Sequence, residues 1–350
     1  MGRGGRRSKP RKFSNVISLE TCSRYMGYVA VWFADVATRL LLNTPLTDVS
    51  VQQLQQLYNE ANKLYSNQGR DLSSVIPIPI TGNDNRDLLN LSSALQSLYK
   101  ATQNVREVYL LPAAFSSEFA EYVRKFVPKT ATSTLKRETI GISSEILALA
   151  LIGADLTSSY RVARGRDVEY GYTFVNVYNP RVLRLLELNR SVRIITQRIV
   201  NGDGSTQALY VGIAARVARG LGSRVFDIDG HTTYTSVRIL HRQAPMLKAF
   251  ETVDITSLAQ TILKLGISKA VVDLISFYPD RNQQRNPEYR KLRSFIESLA
   301  RAIVLFNELR DFEELYRVVR VLTSEEYRSA LSRCVKDWPE ILESLLSLRV

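Results

Sequence analysis

The sequence predicts an α+β fold, with a mixed N-terminal and central part containing short antiparallel strands, then a C-terminal helical bundle. Three observations carry that expectation. Apolar residues recur at helical spacing over most of the chain, and residues 167–178 alternate with a period of two. From Asp254 onward, helix patterns follow one another with only short polar breaks. Divided accordingly, the chain has a basic arm at 1–14, an α+β domain at 15–250 with a basic centre at 156–250, and a bundle at 251–350. A length of 350 residues is ample for two packed units.

The arm GRGGRRSKPRK is too poor in apolar residues to order itself. It reads as a phosphate-binding tether, as a solubilising tail, or as sequence upstream of a start at Met26. Residues 25–42 then form a helix with Tyr25, Val29, Phe33, Val36 and Leu40 on one stripe, and Asp35 and Arg39 make it a poor membrane span. Ser50 and Gln53 resemble a capping box opening a helix over 51–65. The run VIPIPIT at 75–81 carries two prolines and suits only an edge strand or extended segment. Helices are expected at 87–103 and 117–126, a strand at 108–111, and a helix at 145–152, capped by Ser143 or Ser144 and ended by Gly153.

In the basic centre, SSYRVARGRD reads as a loop, and DVEYGYTFVNVY at 167–178 as a strand with Tyr170, Tyr172, Phe174 and Asn176 on one face. After a turn at Asn179-Pro180, a short helix at 182–188 leads to a second strand, VRIITQRIV at 192–200. NGDGS at 201–205 is a turn, and a helix at 207–221 repeats Leu209, Ile213, Val217 and Leu221, with Gly220 or Gly222 closing it. Residues 224–229 and 233–241 pair as a hairpin around Asp229-Gly230. Helices are expected at 256–265, 269–277, 287–307, 312–322, 325–335 and 340–348, with an exposed polar linker at 278–286.

Charge is segregated along this layout. Residues 156–250 hold 14 basic against 6 acidic side chains, and the arm holds six basic and no acidic ones. By contrast, 13–155 and 251–350 are balanced, with 12 against 13 and 15 against 15. The formal charge of +13 therefore lies in the arm and the centre, which points to a polyanionic partner. The centre is also interleaved with Tyr160, Tyr170, Tyr172, Phe174, Tyr178, Tyr210, Phe226 and Tyr234. Arginine grips phosphate and an aromatic ring stacks on an unpaired base. The candidate nucleic-acid contacts are Arg161, Arg164, Arg166, Arg190, Arg193, Arg198, Arg216, Arg219, Arg224, Arg238 and Arg242, with Tyr170 and Tyr172 as stacking rings.

Enzymatic readings find little support. There is no nucleophile elbow, no phosphate-cradling glycine loop, and the two cysteines, Cys22 and Cys334, fit neither a metal spacing nor a disulfide framework. A reducing cytoplasm is the expected setting, with no cofactor, no catalytic residue and no membrane partner. The exception is Asp227, Asp229 and His231, which as alternate strand positions would make a metal-dependent nuclease site, although an Asp-Gly turn accounts for Asp229 without chemistry. A DNA-packaging or viral structural protein, using the basic arm, is the remaining alternative.

On the strand VEYGYTFVNVY, the following run ALYVGIAARVARGLG, the helical last third and the length, the chain resembles the large subunit of archaeal subtype I-A CRISPR surveillance (Cascade) complexes. The resemblance implies a non-enzymatic subunit of a crRNA-guided antiviral complex. Such a subunit helps recognise the protospacer-adjacent motif, binds target or displaced DNA beside crRNA and other subunits, and licenses recruitment of a helicase-nuclease. The basic arm is not a feature of that family, and no residue role is carried over position by position.

Overall fold

Two helices set the pattern for the first part of the chain. Val29–Leu42 (α1) buries Val29, Phe33, Val36 and Leu40 along one stripe and ends where Asn43 turns left-handed, its amide donating to the Arg39 carbonyl at 2.9 Å. Gln53–Asn67 (α2) buries Leu54, Leu57, Ala61 and Leu64 and starts two residues later than expected; of the expected capping box one half forms, the Gln53 Oε1 accepting from the Ser50 amide at 2.8 Å. Leu91–Thr102 (α3) opens on Asn90, whose side chain accepts from the Ser93 amide. The computed structural model describes residues 13, 15–67, 90–111, 140–164, 167–175, 182–227, 233–240 and 246–347. The arm apart from Phe13, the segments expected at 75–81 and 117–126, and the Asn179-Pro180 turn lie outside them.

A small mixed sheet accompanies these helices. Asn15–Ile17 (β1) runs parallel to Ile140–Ser143 (β3), and Val108–Leu110 (β2) pairs with β3 antiparallel. Strand β3 leads directly into Ser144–Thr157 (α4). This helix does not stop at Gly153, as the C-cap reading expected. Gly153 is interior, because a Cβ there would come within 2.0 Å of the Phe33 carbonyl oxygen on α1. The glycine serves close helix approach and not termination.

The chain divides into two compact units: Met1–Ala154 with Gln243–Leu247, and Asp155–Arg242 with Lys248–Val350. Residues 156–242 and 248–250 of the basic centre fall in the second unit with the C-terminal helices, and 243–247 fall in the first. A four-stranded sheet runs in the order Ser158–Arg164 (β4), Asp167–Phe174 (β5), Thr233–Leu240 (β6), Met246–Asp254 (β7), with β4–β5 and β5–β6 antiparallel. The fold class is α+β, as the sequence predicted. Two local expectations fail here. SSYRVAR is a strand and not a loop, because its backbone pairs with β5 from Ser158 to Arg164. The hairpin around Asp229-Gly230 is also replaced: Gly222–Asp227 is a 3-10 turn, and β6 takes β5 and β7 as its neighbours.

The segment expected as helix, break and strand is one helix, Val182–Asn201 (α5). Leu188, Val192, Ile195 and Ile199 lie buried at spacings of four, three and four, which only a helix aligns on one side. Contacts to the end of α4 and the start of β4 hold it: Asn189 Nδ2 donates to the Leu156 carbonyl at 2.6 Å, and Thr196 Oγ1 to the Ser159 carbonyl at 3.0 Å. The NGDGS turn forms, with Asp203 left-handed at φ 52°. It leads to Thr206–Leu221 (α6), capped by the Ser205 side chain and closed by Gly222 at φ 56°.

The last part follows the expected helices closely: Thr256–Lys264 (α7), Ser268–Ser276 (α8), Pro287–Leu309 (α9), Phe312–Val321 (α10), Glu325–Cys334 (α11) and Trp338–Leu346 (α12). Asn286 and Asp311 cap α9 and α10. The linker at 278–286 is not wholly exposed, because Tyr278 is fully buried in it. Both cysteines are buried and free, and burial pushes the Cys22 and Cys334 thiols up. Among the described residues no helix is long and apolar enough to cross a membrane.

Candidate nucleic-acid interface

The arginines of the second unit fall into distinct groups. Arg190 and Arg193 lie exposed on α5, with Ile194 exposed beside them, and Arg224 is exposed on the 3-10 turn that follows α6. None of these three arginines forms an ion pair among the described residues. Arg161 is exposed on β4 and sits across from Tyr170, its guanidinium carbon 6.0 Å from the ring centroid. These four offer cations to solvent.

The others have different surroundings. Arg198 is exposed on α5, but its Nε donates to the Tyr278 carbonyl at 3.1 Å. Arg219 is held by Asp273 at 2.7 Å. Arg216 is half-buried on α6, its Nε unreached by any hydrogen-bond acceptor, and burial with Arg219 nearby lowers its pKa. Arg164 ends β4 in register with Asp167, and Arg238 stands on β6 in register with Glu169. Arg166 and Arg242 lie outside the described residues.

The tyrosine reading needs correction. Tyr170 and Tyr172 are 3% and 0% exposed, so their rings belong to the core and offer no face to a base. Burial raises both phenol pKa values, that of Tyr172 well above the ordinary range. The opposite face of β5 is buried as well. Tyr160 is 2% exposed, crosses Gly171, where a Cβ would fall 2.0 Å from its ring, and donates to Glu169 Oε1 at 2.7 Å. Thr173 is buried with its hydroxyl 2.8 Å from that of Ser159. A strand alternation shows which residues share a face, but not that either face is wet.

Phe226 is different. Of the eight aromatics interleaved with the basic centre, Tyr160, Tyr170, Tyr172 and Phe174 are buried and Tyr210 is half-buried, whereas Phe226 is 46% exposed. Tyr178 and the side chain of Tyr234 fall outside what is described. Phe226 follows Arg224 on the 3-10 turn, and Lys264 Nζ stands 5.5 Å from its ring centroid. The strand alternation expected for Asp227, Asp229 and His231 is lost at Asp227, which ends that turn; Asp229 and His231 lie outside the described residues. Among the described residues, no group of three His, Cys, Asp or Glu side chains is placed to hold a metal ion.

A polar joint fixes the loop between the two arginine-bearing helices. Glu297 on α9 accepts from the Ser205 amide at 3.0 Å, from the Ser205 hydroxyl and from the Tyr278 hydroxyl. Arg293 donates to the Asp203 carbonyl at 2.8 Å and to Gln284 at 2.6 Å, and Arg281 grips the Asp203 carboxylate with two bonds of 2.6 Å. Gly202 is required because a Cβ there would meet the Pro279 carbonyl at 2.4 Å. Burial, then the Glu297 carboxylate, raise the Tyr278 pKa. The result is a fixed base for α5 and α6. No protein-family model matches the chain, and no curated protein matches it either.

Proposed function

We propose that the chain is a non-enzymatic nucleic-acid-binding subunit of a crRNA-guided antiviral complex, which contributes to protospacer-adjacent-motif recognition and to binding of the target or displaced strand. One observation supports the nucleic-acid part most directly. In the folded segment with surplus positive charge, Arg161, Arg190, Arg193 and Arg224 are exposed, and none has a carboxylate partner among the described residues. Exposed guanidinium groups without counter-charges on the protein are suited to phosphate oxygens, with release of condensed counterions. The guide-dependent part rests on the sequence resemblance.

The test is salt-dependent binding by the full chain, with sequencing of whatever nucleic acid co-purifies. Three or more phosphate contacts give a log–log salt slope of about −2 or steeper. Co-purifying crRNA and partner subunits would support the guide-dependent form. Bound nucleic acid without any guide RNA would remove that form and leave the binding. No nucleic acid and no salt dependence would overturn the whole reading.

A further inference from the structure

We infer that Phe226, with Lys264 beside it and Arg224 on the same turn, is a stacking site for an unpaired base of single-stranded nucleic acid, an assignment that rests on the nucleic-acid reading above. Four features of the 3-10 turn carry it. Phe226 is 46% exposed, although a phenyl ring has no polar atom to hold it at a wet surface. Its neighbour Val225 is fully buried, and the Val225 carbonyl accepts from Gln260 Nε2 of α7 at 3.3 Å, so the backbone presenting the ring is anchored from inside. The turn begins at Gly222, which closes α6 at φ 56° and sets its direction. Finally, Lys264 Nζ stands 5.5 Å from the ring centroid, and Arg224 is exposed on the same turn, so positive charge accompanies the ring.

An anchored aromatic flanked by cations is the chemistry that single strands require, because stacking holds the base while the cations hold the backbone. Paired bases in a duplex already have both faces stacked, so they gain little from such a ring. The site favours splayed nucleotides of either sugar, since stacking does not read the 2′-hydroxyl.

The experiment measures binding of the full chain to labelled oligothymidine and oligouridine by fluorescence anisotropy. A matched abasic strand, with the same phosphates and no bases, is the control. Phe226→Ala is expected to weaken binding to both base-bearing strands roughly five- to a hundred-fold, the range for losing one stacked base. It should leave abasic binding and the salt slope unchanged. Phe226→Trp should restore affinity, and thermal denaturation checks that each variant folds as the parent does. Equal affinity of Phe226→Ala and parent for oligothymidine overturns the stacking site while leaving nucleic-acid binding in place. An equal loss on the abasic strand also overturns it, by showing that the change acts on the fold. If the parent binds no strand at all, both this site and the nucleic-acid reading fall.

Discussion

Basic residues meet a different balance of acids in the two stretches that make up the second unit. Along the C-terminal helices some pair with acids, Lys291 with Glu326 at 2.5 Å, Arg333 with Glu288 at 2.6 Å and Arg317 with Glu314, while Arg290, Arg301, Arg320 and Arg328 are exposed without an ion pair among the described residues. Lys269 is another paired cation, reaching Asp273 at 3.3 Å. In 158–227, Arg190, Arg193 and Arg224 likewise stand exposed with no such partner among the described residues. The contrast is not one of basic content, since 251–350 has 15 basic residues and 156–250 has 14. It comes from where the acids are. Matched charges on helix surfaces contribute little to stability and leave no net field, whereas unmatched ones create a potential that attracts a polyanion. The stretches differ in net charge, zero over 251–350 and +8 over 156–250, and not in whether each arginine has its own partner.

The largest expected effect concerns the polar joint at the charge-balanced helices. Glu297→Ala removes three acceptor bonds from the joint beneath α5 and α6 and should lower unfolding free energy by about 3 kcal/mol in urea titrations, with an unchanged m value. A loss under about 0.5 kcal/mol would mean that this joint does not stabilise the unit. Next comes the stretch with surplus positive charge. The double variant Arg190→Glu, Arg193→Glu should weaken nucleic-acid binding about tenfold or more at moderate salt and flatten its salt dependence, because two phosphate contacts are lost. Arg333→Gln, which breaks a matched pair, should leave that affinity unchanged. Equal effects from the two variants would dissolve the comparison.

The smallest effect concerns a matched pair in the first unit. Arg106 stands 2.7 Å from Glu20, and its hydrogen bond, helped by Ser18, pulls the Glu20 pKa from 4.5 to about 2. A folded-state value below the unfolded one stabilises fully above pH 4.5, and that contribution disappears as pH falls through 2. Glu20→Gln should therefore remove part of the acid-induced loss of stability in that window. Because the Glu20 side chain is 57% exposed, solvent screening limits the change to about 1 kcal/mol or less. Stability measured from pH 6 down to 2 checks it.

Some elements were plain in the sequence because their causes are local. The Ser50–Gln53 cap, the NGDGS turn, the Pro287 helix start and the repeat of Leu209, Ile213 and Val217 each involve residues within a few positions of one another. Residues 192–200 were not. Their branched residues satisfy both a strand alternation and a helical stripe, and bonds to Leu156 and Ser159, more than thirty residues away, accompany the helical outcome. Gly153 is similar: read along the chain it is a helix end, and only the approach of Phe33 shows its use.

The candidate site divides in the same way. Segregation of charge into 156–250 is a property of the sequence, and with it the class of partner to be tested. Which aromatic meets solvent is decided by tertiary packing. Tyr170 and Tyr172 lie on a strand buried on both faces, while Phe226 projects from a turn anchored by Val225 and Gln260. Charge acts over distances long enough for a tally along the chain to register it. Exposure depends on which neighbours lie within a few ångströms, and folding alone brings those neighbours together.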